Sequence, residues 1–195
     1  MKQILALFLI LLLFPAAAFA QNRAVEKVPQ SYLLSSGDTR TALSRPRYID
    51  AVNNKIAGKS KKDFRLEKKV FELINEERSD NNLPELDWSD EVAEIARLHS
   101  ENMANFKFFS HKDLDGWMVN DRADALGINK WRAIGENIAF NRGYDNPAES
   151  AVERWMQSAS HRENLLSDRW KESGIGIAIA EDGTYYFTEV FLLRK

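Results

Sequence analysis

The chain closes with GIGIAIA, a turn at EDGT, and YYFTEVFLL. The two apolar runs flank an Asp-Gly step, so alternation and turn chemistry together predict a β-hairpin. Everything recognisably helical lies upstream of it. Helices first and a hairpin last favour an α+β fold, with helices laid on a small antiparallel sheet, over a wound βαβ fold.

The upstream helices are legible from their apolar stripes. Leu66, Val70, Leu73 and Ile74 recur at helical spacing and run into the loop RSDNNLPELDW. A second helix begins near Ser89, with Val92, Ile95, Ala96, His99 and Met103 on one face. GWMVNDRADALGI predicts a shorter helix stopped by Gly127, a residue suited to a left-handed cap. NPAESAVERWMQS opens with Asn146 as cap, Pro147 at the first helical position and Glu149 at the third. SASHRENLL follows, which places His161 in the last turn of that helix or just after it.

The N-terminus has a lysine, an apolar run from Ile4 to Phe14, and Ala18-Phe19-Ala20. That order matches a secretory signal peptide over residues 1–20, cleaved before Gln21. The run is too short to span a bilayer. The expected location is therefore secreted or periplasmic, with no stable membrane insertion after cleavage. Residues 21–62 are polar and turn-rich and read as a lead-in or linker to a domain over 63–195. Trimming by limited proteolysis is expected there. The basic cluster Lys59, Lys61, Lys62, Arg65, Lys68 and Lys69 marks the junction, either as a solvated helix start or as a patch drawn to an anionic envelope.

Composition removes several chemistries. The chain has 195 residues, 44% of them hydrophobic, enough for one domain with a real core. A net charge of −2 argues against nucleic acid as a partner. Without cysteine there is no disulfide, no acylated lipoprotein anchor, no thiolate metal site and no cysteine nucleophile. There is also no H-E-x-x-H helix and no G-x-S-x-G elbow.

Three histidines and one glutamate carry what chemistry remains. If WRAIGENIAF is extended, Glu136 shares the inward register of Ile134 and Ile138, where a charge must find a partner. If the segment is a loop, Glu136 is simply solvated. His111, in FFSHKD, should sit at a core edge, its approach buried by Phe108 and Phe109. His99 lies on its helix's apolar stripe and reads as structural. Taken singly, each histidine is more often a satisfied hydrogen-bonding group than a ligand.

FFSH after a helix, then GENIA, then AVERWMQSASHRENLL, then GIGIAIA and YYFTEVF, taken in order, resemble the CAP superfamily. This family comprises the cysteine-rich secretory, antigen 5 and pathogenesis-related proteins, also called SCP-like, and the likeness is greatest to its cysteine-free bacterial branch. The match runs from about Leu66 to Lys195. The resemblance implies a three-layer α-β-α sandwich with a small, mostly antiparallel sheet. It also implies a cleft where His111, Glu136 and His161 converge, with Ser158 and Asn137 lining it. Ser158 stands three residues after Trp155, where eukaryotic relatives carry a second glutamate. A mechanism needing two carboxylates is therefore not supported by the likeness.

Two imidazoles, His111 and His161, could hold zinc or another divalent cation weakly, with Glu136 as a third ligand or as a base on bound water. The expected function is a secreted binding module, monomeric, taking an envelope-associated glycan, a lipid or other small apolar molecule, or a peptide. The alternative is a hydrolase of peptide or cell-wall bonds using His111, Glu136 and His161 as catalytic residues. A third reading is an interaction protein in which the cleft is vestigial.

Overall fold

The structure, a computed structural model, describes residues 60–195. The signal-peptide segment and almost all of the lead-in lie outside the described residues. In chain order the described elements are β1 (Lys61–Lys62), α1 (Phe64–Asp80), β2 (Asp87–Trp88), α2 (Asp90–Phe106), α3 (Val119–Ala125) and β3 (Trp131–Asn141). They continue with α4 (Pro147–Gln157), α5 (Ala159–Leu165), β4 (Glu172–Ile179) and β5 (Tyr185–Arg194). β1 takes in Lys61 and Lys62, the last two residues of the segment read as lead-in.

β4 and β5 form the expected hairpin, and β3 pairs antiparallel with β5 on its far side. The outer edge of β4 is shared. β1 pairs antiparallel at its Ala178–Ile179 end, and β2 pairs parallel at its Glu172–Ser173 end. Between them the Ile177 N–H donates to Glu67 Oε1 at 3.3 Å, so a buried carboxylate of α1 continues what the two short strands begin. At the opposite edge, three carbonyls of β3 accept from side chains of α4 and α5. Asn164 donates to Glu136 O (3.4 Å), Trp155 Nε1 to Ile138 O (3.0 Å) and Arg154 to Phe140 O (3.3 Å). Both edges are thus occupied without a further strand.

Period-two alternation sends the two faces of the sheet into different helix layers. Ile175, Ile177, Phe187, Phe191 and Ala139 pack with Val70 and Ile74 of α1 and Val152 and Trp155 of α4. Val190, Leu192 and Ile134 face Val92, Ile95 and Ala96 of α2 and Val119 and Ala123 of α3. This is the α-β-α sandwich, and the site is built where its layers meet at the β3 edge.

Three local expectations change. The helix expected to carry His161 breaks at Ser158, which adopts an extended conformation (φ −88°, ψ 122°). Its N–H closes α4 on Arg154 O and Trp155 O, and its C=O accepts the first bond of α5 from Arg162 N–H at 2.9 Å. Serine competes for backbone partners in this way, so His161 lies in the first turn of a new helix. Phe109 does not bury the approach to His111; it is 44% exposed. Phe108 takes the inward side, edge-on to His99, and the next residue points the other way. The basic cluster is also more than a solvated helix start. Lys62 pairs with the buried Glu101 at 2.7 Å, and Lys68 lies 3.6 Å above the Trp88 ring.

Candidate functional site

Glu136 lies in extended backbone on the face of β3 that looks toward α2 and α3, in register with Ile134 and Ile138. Its carboxylate is buried and has two partners. Oε1 meets His111 Nδ1 at 2.8 Å, and Oε2 is bonded by the guanidinium of Arg122, itself 2% exposed, from α3. Burial alone would raise this carboxyl, but the His111 hydrogen bond and the Arg122 charge outweigh it and hold Glu136 below the usual carboxylate range. Arg122 does more than neutralise. Its Nη1 donates to His111 O (3.1 Å) and Trp117 O (3.0 Å), which ties the loop carrying His111 to α3.

An ionised carboxylate only accepts, so the proton on the His111 ring sits on Nδ1. In the neutral ring the lone pair is then on Nε2. The side chain is 43% exposed, so the ring reaches solvent. This is the carboxylate–histidine arrangement that orients a metal-binding imidazole and raises its basicity.

His99 supports the same loop from beneath. It is fully buried on α2, and its Nε2–H donates to Ser110 O at 2.9 Å, one residue before His111. Burial first and the Arg122 charge second push its pKa down to about 4, so the ring stays neutral. The structural reading of His99 agrees with this placement.

His161 is half-buried at the start of α5. Its pKa is lowered by burial and then by the charge of His111. Asn137 does not line a cleft. Its buried side chain donates to His161 O at 3.1 Å and accepts from Asn164 at 3.0 Å, which straps α5 to β3. Ser158 is the hinge between α4 and α5, with Ser160 Oγ as its side chain's neighbour at 3.4 Å.

The donor set defines what a cation could find here. His111 Nε2 and the His161 ring remain, whereas both oxygens of Glu136 are engaged. Among the described residues no group of three or more His, Cys, Asp or Glu is assembled for metal binding. Two imidazoles are fewer protein ligands than a closed structural zinc site requires.

Arg122 is the functional residue that sequence reasoning missed. Its signal lay in the short helix VNDRADA, where Val119, Arg122 and Ala123 share one face, so an arginine sits in a core register. A buried arginine needs a carboxylate, and Glu136 was the carboxylate lacking a partner.

The chain is 37% identical over 128 residues to the uncharacterized membrane protein YlbC of Bacillus subtilis and 31% identical over 142 residues to YkwD of the same organism. These matches cover 66% and 73% of this chain but 34% and 53% of those proteins, so the chain spans a third to a half of the relatives' length. An extracellular protein containing a SCP domain from Bacillus anthracis superposes with a TM-score of 0.57 at 29% identity, over 66% of this chain and 40% of that one. An outer surface protein of Borrelia burgdorferi superposes with a TM-score of 0.61 at 21% identity, over 70% of this chain and 99% of that one, which speaks to fold alone. Among the described residues no helix is long and apolar enough to cross a membrane. The profile of the cysteine-rich secretory protein family, CAP, matches residues 71–191, and the chain belongs to that family, in a form without cysteine.

Proposed function

We propose that this domain is a secreted, monomeric binding module that holds a divalent cation such as zinc weakly between His111 and His161, next to the surface where it takes an envelope-associated ligand. The observation that carries the reading is the orientation of His111: Glu136, locked by Arg122, takes Nδ1 and leaves Nε2 as the nitrogen available to a cation. The same lock weakens the hydrolase alternative. A carboxylate engaged at both oxygens and held below its usual range is a poor general base.

Zinc titration calorimetry on single variants tests the reading. His111→Ala and His161→Ala should each lose most of the affinity while keeping the wild-type circular dichroism spectrum. Two fixed imidazoles chelate where one alone holds poorly. Affinity should also fall on acidification, below the ordinary imidazole range for His161, whose pKa is lowered by burial. Unchanged zinc binding in both variants, or turnover of a peptide or cell-wall substrate abolished by Glu136→Gln, would sink the proposal.

A further inference from the structure

One face of the sheet leaves aromatic rings uncovered. Phe109 and Phe140 are 44% and 47% exposed, although Phe187 and Phe191 on the opposite face are fully buried. Phe109 meets Phe140 edge-on with ring centroids 4.8 Å apart. Phe140 stands beside Tyr186, its cross-strand partner, at 6.2 Å and an interplanar angle of 29°. The result is a continuous row of three rings, two of them on paired strands. Phe140 is further fixed by Arg154, which donates to its carbonyl and lies against the neighbouring Tyr144 ring. Rigid, contiguous, exposed apolar surface of this kind marks binding sites.

The row continues into a recess of about 390 Å³ walled by Tyr186, Asn105, Lys107, Glu181 and Asp182. Its charges are of both signs. Asp182 is paired with Arg142 at 3.2 Å and also feels Lys107, and Glu181 adds a second carboxylate to the lining. A surface for anionic lipid needs an excess of cations, whereas the lining of this recess has two carboxylates, Glu181 and Asp182, to one cation, Lys107. A pocket for an apolar tail is enclosed and mostly apolar, whereas this recess is open and rimmed by donors and acceptors. The combination of bare rings with a polar rim of both signs suits a molecule that is itself two-sided. In a β-linked pyranose strand the hydroxyls lie around the ring edge and the C–H bonds cover its faces. Those C–H groups carry the partial positive charge that an aromatic π-face attracts.

We propose that Phe109, Phe140 and Tyr186, together with the recess beside Tyr186, bind an uncharged β-linked glycan strand. The proposal rests on the reading of this domain as a binding module, but not on the cation, because none of these residues belongs to the histidine pair.

The full mature chain should be titrated with chitohexaose and with cellohexaose, followed by amide chemical shifts. Neutral phosphatidylcholine vesicles and sedimentation velocity are run in parallel. Saturable binding of at least one hexasaccharide is expected, weakened about tenfold in Phe140→Ala by loss of a stacking ring. Binding should survive in Phe140→Trp and in His161→Ala, the latter expected to have lost most of its zinc affinity. No saturable binding to either hexasaccharide, or equal binding by Phe140→Ala, overturns the glycan site. A Phe140-dependent partition onto vesicles, or a Phe140-dependent dimer, without glycan binding also overturns it and assigns the rings to lipid or to a second copy. Since zinc binding is measured on the same variants, failure of the glycan site and failure of the cation site are read separately.

Discussion

Glu136 and Arg122 show what a buried charge requires of its neighbours. Each is almost wholly removed from water, and each would be left uncompensated by loss of the other. Arg122→Leu should therefore cost about 3 to 5 kcal/mol of stability, the range for breaking a buried pair. The double variant Arg122→Leu/Glu136→Leu should recover part of that loss, since it leaves no orphaned charge. Urea denaturation of the two single variants and the double variant measures the coupling. A single Arg122→Leu variant within 1 kcal/mol of wild type would show that the pair is not what holds α3 to β3. His99 works beside them without charge, through the one hydrogen bond that sets Ser110 and hence the base of His111.

Between elements, the closest approach is that of α2 to β4. A Cβ on Gly176 would lie 2.1 Å from the backbone nitrogen of Arg97, and one on Gly174 would lie 2.1 Å from that of Ala93. Helix backbone rests directly on the strand. The alternation GIGIA therefore combines two requirements, isoleucines for the α1 and α4 side and no side chain for the α2 side. Gly176→Ala must lift α2 from the sheet, and it should destabilise by more than the ~1–3 kcal/mol usual for an added methyl group. Gly135→Ala is the comparison. Its Cβ would meet the Trp170 ring at 2.8 Å, a side chain and not backbone, so its cost should be smaller. Thermal melts rank the two, and a Gly176→Ala variant as stable as Gly135→Ala would contradict the backbone contact.

Among the described residues of the molecule, His99 and Glu189 are buried and held uncharged, and their pH dependences oppose each other. His99, lowered from 6.5 to about 4 by burial and Arg122, stays neutral in the fold while the unfolded chain protonates. Stability linked to it is present above pH 6.5 and is lost as pH falls toward 4. Glu189 is fully buried on the β5 face toward α1, with Ser173 Oγ donating to Oε1 at 3.1 Å, and burial pushes its pKa up from 4.5 to about 8. Here the fold retains a proton that the unfolded chain has released, so stability falls as pH rises from 4.5 to 8. Each slope is at most about 1.4 kcal/mol per pH unit. Between pH 4.5 and 6.5 they largely cancel. Glu189→Gln should therefore flatten the alkaline limb of a stability–pH profile, and His99→Gln the acid limb. Denaturation midpoints from pH 4 to 8 test this, and parallel profiles for wild type and Glu189→Gln would rule out a protonated Glu189.

Local sequence determined the elements, because periodicity and capping involve residues close together along the chain. The stripes of α1 and α2, the Asn146-Pro147 start of α4, the stop at Gly127 and the hairpin turn are all readable without a partner. The inward register of Glu136 was readable only on condition that its segment is extended, since alternation assigns a face to a strand and none to a loop. Only the tertiary structure decided what stands opposite that face. Arg122 reaches Glu136 from 14 residues away, and Asn137 holds His161 from 24 residues away. Both contacts exist only once β3 has found its register on β5 and the helices have taken their layers. The break at Ser158, the outward turn of Phe109 and the withdrawal of Asn137 from any cleft follow from the same cause. A period states which side of an element is buried, but the identity of the neighbour depends on packing between segments that are distant in the chain.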